Sequence, residues 1–355
     1  MGAKVGVGSV GRSRTLRRAA LLAIGLVAGG LIAGAAWLRP AFTPAIAGPN
    51  AIASLEPVTL GGARQWILIR GADRSKPVVL FLHGQPGAPL MGLAHRFQPG
   101  LEQDFVVVQW DRRGAGKSFG EPLGHALMST TQDLSDAVEL IGLMHRRLGA
   151  ERVIVVGQDD GATLGAALAQ AHPELVRALV AVGMTSCTPT DIAAIQDSWL
   201  RSRATLVGDA PIAALAAAGG GWDRGGALYR YGGVLARHTS RWSQRIALAT
   251  APEYRLADAL AVGDGARFVQ ARQRRDGPAQ PLARSIPALR VPVYFLLGRK
   301  DYVSPAICSE RYSDVLQAPI DREIWFERSA HYPFLEEADH FRRVLKAVAA
   351  ETSGL

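Results

Sequence analysis

Cysteine is scarce: Cys187 and Cys308 are the only two in 355 residues. That excludes a disulfide-dense scaffold and any thiolate cluster with zinc-site spacing. No His, Asp or Glu grouping has metal-ligand spacing either, so neither a metal nor another cofactor is expected. The chain also lacks internal repeats and low-complexity tracts, which excludes solenoids and makes disorder a minor feature. A net charge of +9 raises the question of nucleic acid. The basic residues, however, form no stripe interleaved with aromatics, and nucleic-acid binding is excluded on that ground.

Five of the positive charges sit together. Lys4, Arg12, Arg14, Arg17 and Arg18 come before residues 19–38, AALLAIGLVAGGLIAGAAWL, a run of twenty without a charge. As a helix the run spans about 30 Å, the thickness of a bilayer's hydrocarbon core. The charge asymmetry places residues 1–18 in the cytoplasm and everything after residue 38 on the far side, periplasmic or extracellular, with Trp37 at the interface. The alternative is a cleaved signal peptide, with small-residue sites near Ala33 to Ala36 or Ala45-Ile46-Ala47. Twenty residues exceed the usual signal core, so the reading is a single-pass anchor. Export would allow Cys187 and Cys308 to bridge. Whether the two meet, or remain two inert thiols, is not legible in the sequence.

After a linker over residues 39–56, short apolar runs alternate with amphipathic segments, the signature of an α/β fold with a mostly parallel sheet and helices on both faces. The strand runs are 66–70, 77–82, 105–110, 152–157, 178–184, 291–297 and 323–326. Thr130 to Leu148 has helical periodicity with Ser129 or Thr130 as N-cap. From residue 186 to 289 the pattern is Ala- and Arg-rich and helical, with no strand. The resulting organisation is a first core segment (57–185), an inserted helical cap (186–289) and a second core segment (290–355).

Five motifs follow strands. His83-Gly84-Gln85-Pro86-Gly87 is a Gly-rich turn that can aim the backbone N–H of Gln85 into a site as an oxyanion donor. Asp111-Arg112-Arg113-Gly114-Ala115-Gly116-Lys117-Ser118 ends like a phosphate loop, but Asp111 stands where that loop needs glycine, so it reads as a structural turn. Gly157-Gln158-Asp159-Asp160-Gly161 lies between a strand and a helix, as a nucleophile elbow does, with Asp159 where serine is usual and the N–H of Asp160 as second oxyanion donor. Gly298-Arg299-Lys300-Asp301 and Ser329-Ala330-His331-Tyr332-Pro333 follow the last two strands. His83 and His95 are taken as structural.

Residues 57–350 resemble the α/β-hydrolase superfamily. HGQPG, DRRGAGKS and AQAHPELVRALV resemble its proline iminopeptidase-like branch, and the insertion resembles that branch's cap. The branch uses serine, whereas aspartate at the elbow resembles epoxide hydrolases and haloalkane dehalogenases. The resemblance implies a triad of Asp159, His331 and Asp301. A carboxylate attacking an acyl carbon would give an anhydride, but attacking saturated carbon it gives an ordinary ester that water can hydrolyse. Dehalogenases hold halide with a tryptophan after the nucleophile, and here that residue is Asp160. Epoxide opening needs an acid, for which the cap offers Tyr229, Tyr231 and Tyr254. The expectation is therefore a membrane-anchored hydrolase opening the C–O bond of an epoxide in a small apolar substrate. The alternatives are an iminopeptidase-like ester or peptide hydrolase, and an inactive binding protein of hydrolase fold.

Overall fold

The computed structural model describes Leu21, Gly34 and residues 39–84, 87–122, 128–219, 221–237, 242–273 and 281–354. The apolar run at 19–38 therefore lies almost wholly outside the described residues, and among those described no helix is long and apolar enough to cross a membrane.

Eight strands form one sheet: β1 (Ile52–Leu60), β2 (Ala63–Gly71), β3 (Val78–Leu82), β4 (Val106–Asp111), β5 (Val153–Gln158), β6 (Val176–Val182), β7 (Val293–Gly298) and β8 (Asp321–Phe326). Their order is β1-β2-β4-β3-β5-β6-β7-β8. β2 is antiparallel to both β1 and β4, and the remaining pairs are parallel. β3, β4, β5 and β7 are buried at every residue, which is why they read as largely apolar runs rather than alternating ones.

β1 begins inside the stretch expected to be linker. As an edge strand it is only half-buried along most of its length. It also carries Glu56 and Pro57, residues that edge strands tolerate and that hide a strand from pattern reading.

Helices of seven residues or more are α1 (Thr130–Leu148), α2 (Asp160–Ala171), α3 (Pro189–Leu206), α4 (Ala210–Ala218), α5 (Arg224–Arg230), α6 (Trp242–Thr250), α7 (Leu256–Gln273), α8 (Ala306–Ser313) and α9 (Ala338–Glu351). α1 starts where the Ser129 hydroxyl accepts from the Gln132 N–H and ends at Gly149 in the left-handed region, as capping rules predict. One apolar cluster covers the sheet face toward α1 and α2, and another, rich in Phe81, Phe334 and Phe341, covers the opposite face with α9.

The segment between β6 and β7 holds α3 to α7 and, among the described residues, no strand. It has a small core of its own around Leu200, Ala216, Leu228 and Val234. The DRRGAGKS turn fastens this cap to the sheet. Lys117 Nζ lies 2.9 Å from Asp258 and the Tyr254 hydroxyl donates to Asp111 at 2.6 Å. Arg113, fully buried, donates to Asp136 and to the carbonyl oxygen of Leu60.

Asp111 has an unusual titration. Burial pushes its carboxyl up to about 7, although the Tyr254 hydroxyl, the Lys117 N–H and the Lys117 charge pull the other way. A carboxyl raised on folding contributes stability that is present below its unfolded value and lost as pH climbs through 7, an effect of the order of 4 kcal/mol. Asp111→Asn keeps an acceptor for both donors. Its melting temperature should overtake that of the unmodified protein as pH rises from 4 to 8, and parallel curves would contradict this account.

Cys187 and Cys308 form a disulfide across a sequence separation of 121, with Cα atoms 5.3 Å apart. Of the two possibilities the sequence leaves open, the bridge is the one present. Cys187 follows β6 and Cys308 lies on α8 after β7, so adjacent parallel strands deliver the two cysteines to the same sheet edge. Nothing in their sequence spacing reveals that.

Candidate active site

The site is built at the C-terminal edge of the sheet, where parallel strands deliver their following loops. β5 turns into α2 at Asp159, the one described non-glycine residue with positive φ (55°). Such a conformation is strained for an L-residue and persists only where the surroundings enforce it. They do so here through close approach. A Cβ on Gly161 would lie 2.1 Å from the Leu82 carbonyl oxygen, and one on Gly157 would lie 2.4 Å from Ala162 Cα. Glycine at both positions lets the turn close, and the Asp159 N–H is held by the Val182 carbonyl at 2.9 Å.

Asp159 is 4% exposed. Its Oδ1 accepts hydrogen bonds from the hydroxyls of Thr185 and Ser304, the latter at 3.1 Å. Oδ2 is the oxygen on the side of His331, 3.9 Å from Nε2. That distance is too long for a hydrogen bond, so the imidazole does not lock the carboxylate. His331 Nδ1 meets Asp301 Oδ2 at 2.8 Å. Asp301 in turn is fixed through Oδ1, which accepts from the N–H groups of Val303 (2.9 Å) and Ser304 (3.0 Å).

The structure thus brings Asp159, Asp301 and His331 together. Burial would lower the His331 imidazole, but the charge and hydrogen bond of Asp301, with Asp159 and Asp160 behind it, hold it above its ordinary value. Asp160 is pushed up to about 7, first by burial and then by the Asp159 charge, while Arg112 and His331 pull it down. As the first residue of α2 it carries one of the helix's N-terminal N–H groups, which have no intrahelical acceptor. Gln85, the other expected oxyanion donor, lies outside the described residues.

The cap tyrosines divide. Tyr229 lines the cavity that contains Asp159, His331 and Asp160, and its hydroxyl donates to Gln244 Oε1. Tyr254 is corrected: it is fully buried and spends its hydroxyl on Asp111, away from this cavity. Tyr231 is corrected as well, since its hydroxyl donates to Asp209 Oδ2 at 2.7 Å within the cap. A tyrosine outside the cap takes their place. Tyr332 lines the cavity beside His331, with ring centroids 5.1 Å apart. Burial, then the neighbouring Tyr229 and Asp159, raises its phenol above the usual range, so it stays protonated and able to donate.

Thr185, Ser304 and Tyr332 were not anticipated as site residues. Only Tyr332 had a sequence signal, adjacency to His331. Thr185 and Ser304 depend on loops from β6 and β7 converging, which spacing does not encode.

The cavity has a volume of about 570 Å³. Ile192, Leu228, Val234 and Val303 give it apolar walls. Its Arg224 is engaged by Asp197 at 2.6 Å. His83 is not part of the chemistry. Its Nδ1 meets the Gly84 carbonyl, and its Nε2 accepts the Arg112 N–H at 3.2 Å. Burial and the Arg112 charge keep it well below its ordinary value, hence neutral. Among the described residues no group of His, Cys, Asp and Glu could hold a metal ion.

Residues 77–215 match the family model described as alpha/beta hydrolase fold. The chain is an α/β-hydrolase-fold protein. This α/β-hydrolase-fold protein is 27% identical over 306 residues to a probable aminopeptidase of Bacillus subtilis, a match covering 83% of this chain and 96% of the relative. It is 37% identical over 126 residues to a proline iminopeptidase of Neisseria gonorrhoeae, covering 35% of this chain and 38% of that one. Its fold is similar to the crystal structure of a proline iminopeptidase from Mycobacterium smegmatis, at TM-score 0.60, 18% identity and coverage of 85% and 99% of the two chains.

Proposed function

We propose that the protein is a hydrolase that opens an epoxide through a covalent ester on Asp159, and that residues 19–38 anchor it in a membrane with the hydrolase domain exported. One observation carries the chemical reading. Asp159 is held through Oδ1 by Thr185 and Ser304 with Oδ2 on the His331 side, in a cavity of mixed polar and apolar lining that two tyrosines, Tyr229 and Tyr332, also line.

In the first step Oδ2 attacks a ring carbon. The C–O bond breaks, and a tyrosine hydroxyl gives its proton to the departing oxygen. In the second, His331 Nε2 takes a proton from water, and the water oxygen adds to the Asp159 carboxyl carbon. The tetrahedral oxyanion is stabilised by the Asp160 N–H at the positive end of α2. Collapse breaks the bond between the Asp159 carboxyl carbon and the ester oxygen. That oxygen leaves as the diol's new hydroxyl, taking the proton that remained on the added water oxygen. Asp159 thereby returns to carboxylate, and the imidazolium returns its proton to the tyrosinate. Asp301 keeps the imidazole in the tautomer this needs. Asp160 stands where a dehalogenase carries its halide-holding tryptophan, so a halide leaving group lacks that support here.

A second reading is amide or ester hydrolysis with Asp159 acting as base on water, favoured by the aminopeptidase and iminopeptidase names of the relatives. A panel of aliphatic and aryl epoxides set against aminoacyl anilides and short esters separates the two. The proposal expects epoxide turnover that disappears in Asp159→Ala, with anilides inert. Anilide turnover dependent on Asp159, with every epoxide inert, would favour the second reading.

A further inference from the structure

The chain leaves the apolar run at residue 38, and the next residues lie on the cap. Arg39 donates to the carbonyl oxygens of Ala251 and Tyr254, the latter at 3.0 Å, and the Phe42 N–H donates to the Pro252 carbonyl at 3.0 Å. Ala251 immediately follows α6. That helix advances only about 13 Å along its axis. Its whole length therefore lies within about 25 Å of the end of the apolar run, allowing for the reach of one arginine side chain.

α6 presents Trp242 at 65% and Ile246 at 56% exposure, one helical turn apart on one face, with the Arg245 guanidinium over the Trp242 ring. Beside it lies a groove of about 430 Å³ whose walls include Leu93, Leu235, Ile246 and Leu335. Two exposed arginines, Arg96 and Arg237, flank this groove. Neither they nor Arg245 have a carboxylate partner among the described residues. The groove's one acid, Glu336, is engaged by the N–H groups of Ala236 and Ala330, each at 2.7 Å. Gln244 lines the groove, and its Oε1 accepts from Tyr229, which lines the catalytic cavity. This hydrogen-bonded pair of side chains has one member in each space.

We propose that the α6 face of the cap rests on the anionic surface of the bilayer that residues 19–38 span, and that the groove beside it is the route by which a lipid-dissolved substrate reaches Asp159. Aromatic and aliphatic side chains ringed by unpaired arginines are the composition that binds a membrane interface, and anionic headgroups supply the complementary charge. The anchor fixes which part of the molecule meets that surface. An apolar substrate partitioned into the bilayer is thereby collected without crossing water. The inference rests on the anchor reading above and is independent of the reaction performed.

The test uses the full chain in vesicles of phosphatidylcholine and phosphatidylglycerol with brominated acyl chains. An environment-sensitive dye is attached at Ile246→Cys or, as control, at Val315→Cys, an exposed position on the core beyond α8. The native cysteines are bonded to each other, so only the introduced thiol is labelled. A blue-shifted Ile246 label, quenched several-fold more than the Val315 label and released in part by Arg237→Glu with Arg245→Glu, is the expected result. Equal quenching at the two positions in protein that resists alkaline extraction overturns the docking and leaves the anchor standing. Protein removed from the vesicles by alkaline carbonate overturns both.

Discussion

In His331→Gln the protein should stop after the first half-reaction and accumulate an ester on Asp159. His331 is positioned to activate water and not to hold the nucleophile, since its Nε2 lies 3.9 Å from Asp159 Oδ2 while its Nδ1 is bonded to Asp301. Attack by Asp159 needs no base, so alkylation survives the substitution. Hydrolysis loses its general base, an effect typically of 10² to 10⁴-fold, about 3 to 5 kcal/mol of barrier. Intact-mass analysis after mixing with epoxide should show a shift equal to the mass of the substrate, located on the peptide containing Asp159. The same experiment on Asp159→Asn should show none. An unshifted His331→Gln protein that nevertheless consumes epoxide would contradict the two-step account.

Removing the disulfide should have the second large effect, on stability. Cys187 and Cys308 close a long loop, with a sequence separation of 121, and the chain-entropy argument gives about 4 to 5 kcal/mol for a bridge of that span. The bridge ties the chain at the start of the cap to α8, directly after the loop that carries Asp301 and Ser304. Cys187→Ser with Cys308→Ser should therefore lower the denaturant midpoint and also loosen the site, with kcat falling more than a remote stabilising contact would cause. A double variant with unchanged midpoint and unchanged kcat would show that hydrogen bonds from the cap, such as His331 N–H to the Val234 carbonyl at 3.1 Å, hold this edge unaided.

The parts of the fold legible in the sequence were those that physics writes locally. Strands buried on both faces appear as apolar runs, α1 announces itself by periodicity and a serine cap, and the cap appears as a strand-free stretch. β1 was lost because an edge strand has little apolar pattern to show. In the site, Asp159, Asp301 and His331 follow strand ends in order, which sequence displays directly. What it could not display is the third dimension of the loops. Thr185 and Ser304 reach Asp159 from β6 and β7, and the pairing of two distant cysteines arises from the same adjacency of strands. The tyrosines illustrate the limit most clearly: all three named in the cap had the right chemistry, but Tyr254 is committed to Asp111 and Tyr231 to Asp209, and Tyr332 stands with Tyr229 instead.

Burial first, and the Asp159 charge after it, raise Asp160, whereas His331 is raised by its carboxylate neighbours against the pull of burial. Three aspartates, Asp159, Asp160 and Asp301, act on one buried imidazole. This arrangement favours the imidazolium that forms when water is deprotonated, which lowers the barrier to the second step. Burial, helped by the Asp159 charge, keeps the proton on Asp160 to near neutral pH, so it adds no further charge beside the nucleophile.

Attack on carbon by Asp159's own oxygen leaves an isotopic record. A single turnover of excess enzyme with epoxide in heavy-oxygen water should give an unlabelled diol and heavy oxygen in the Asp159 carboxylate. Label in the diol on the first turnover, with Asp159 unlabelled, would show that water attacks carbon directly and that Asp159 serves only as a base.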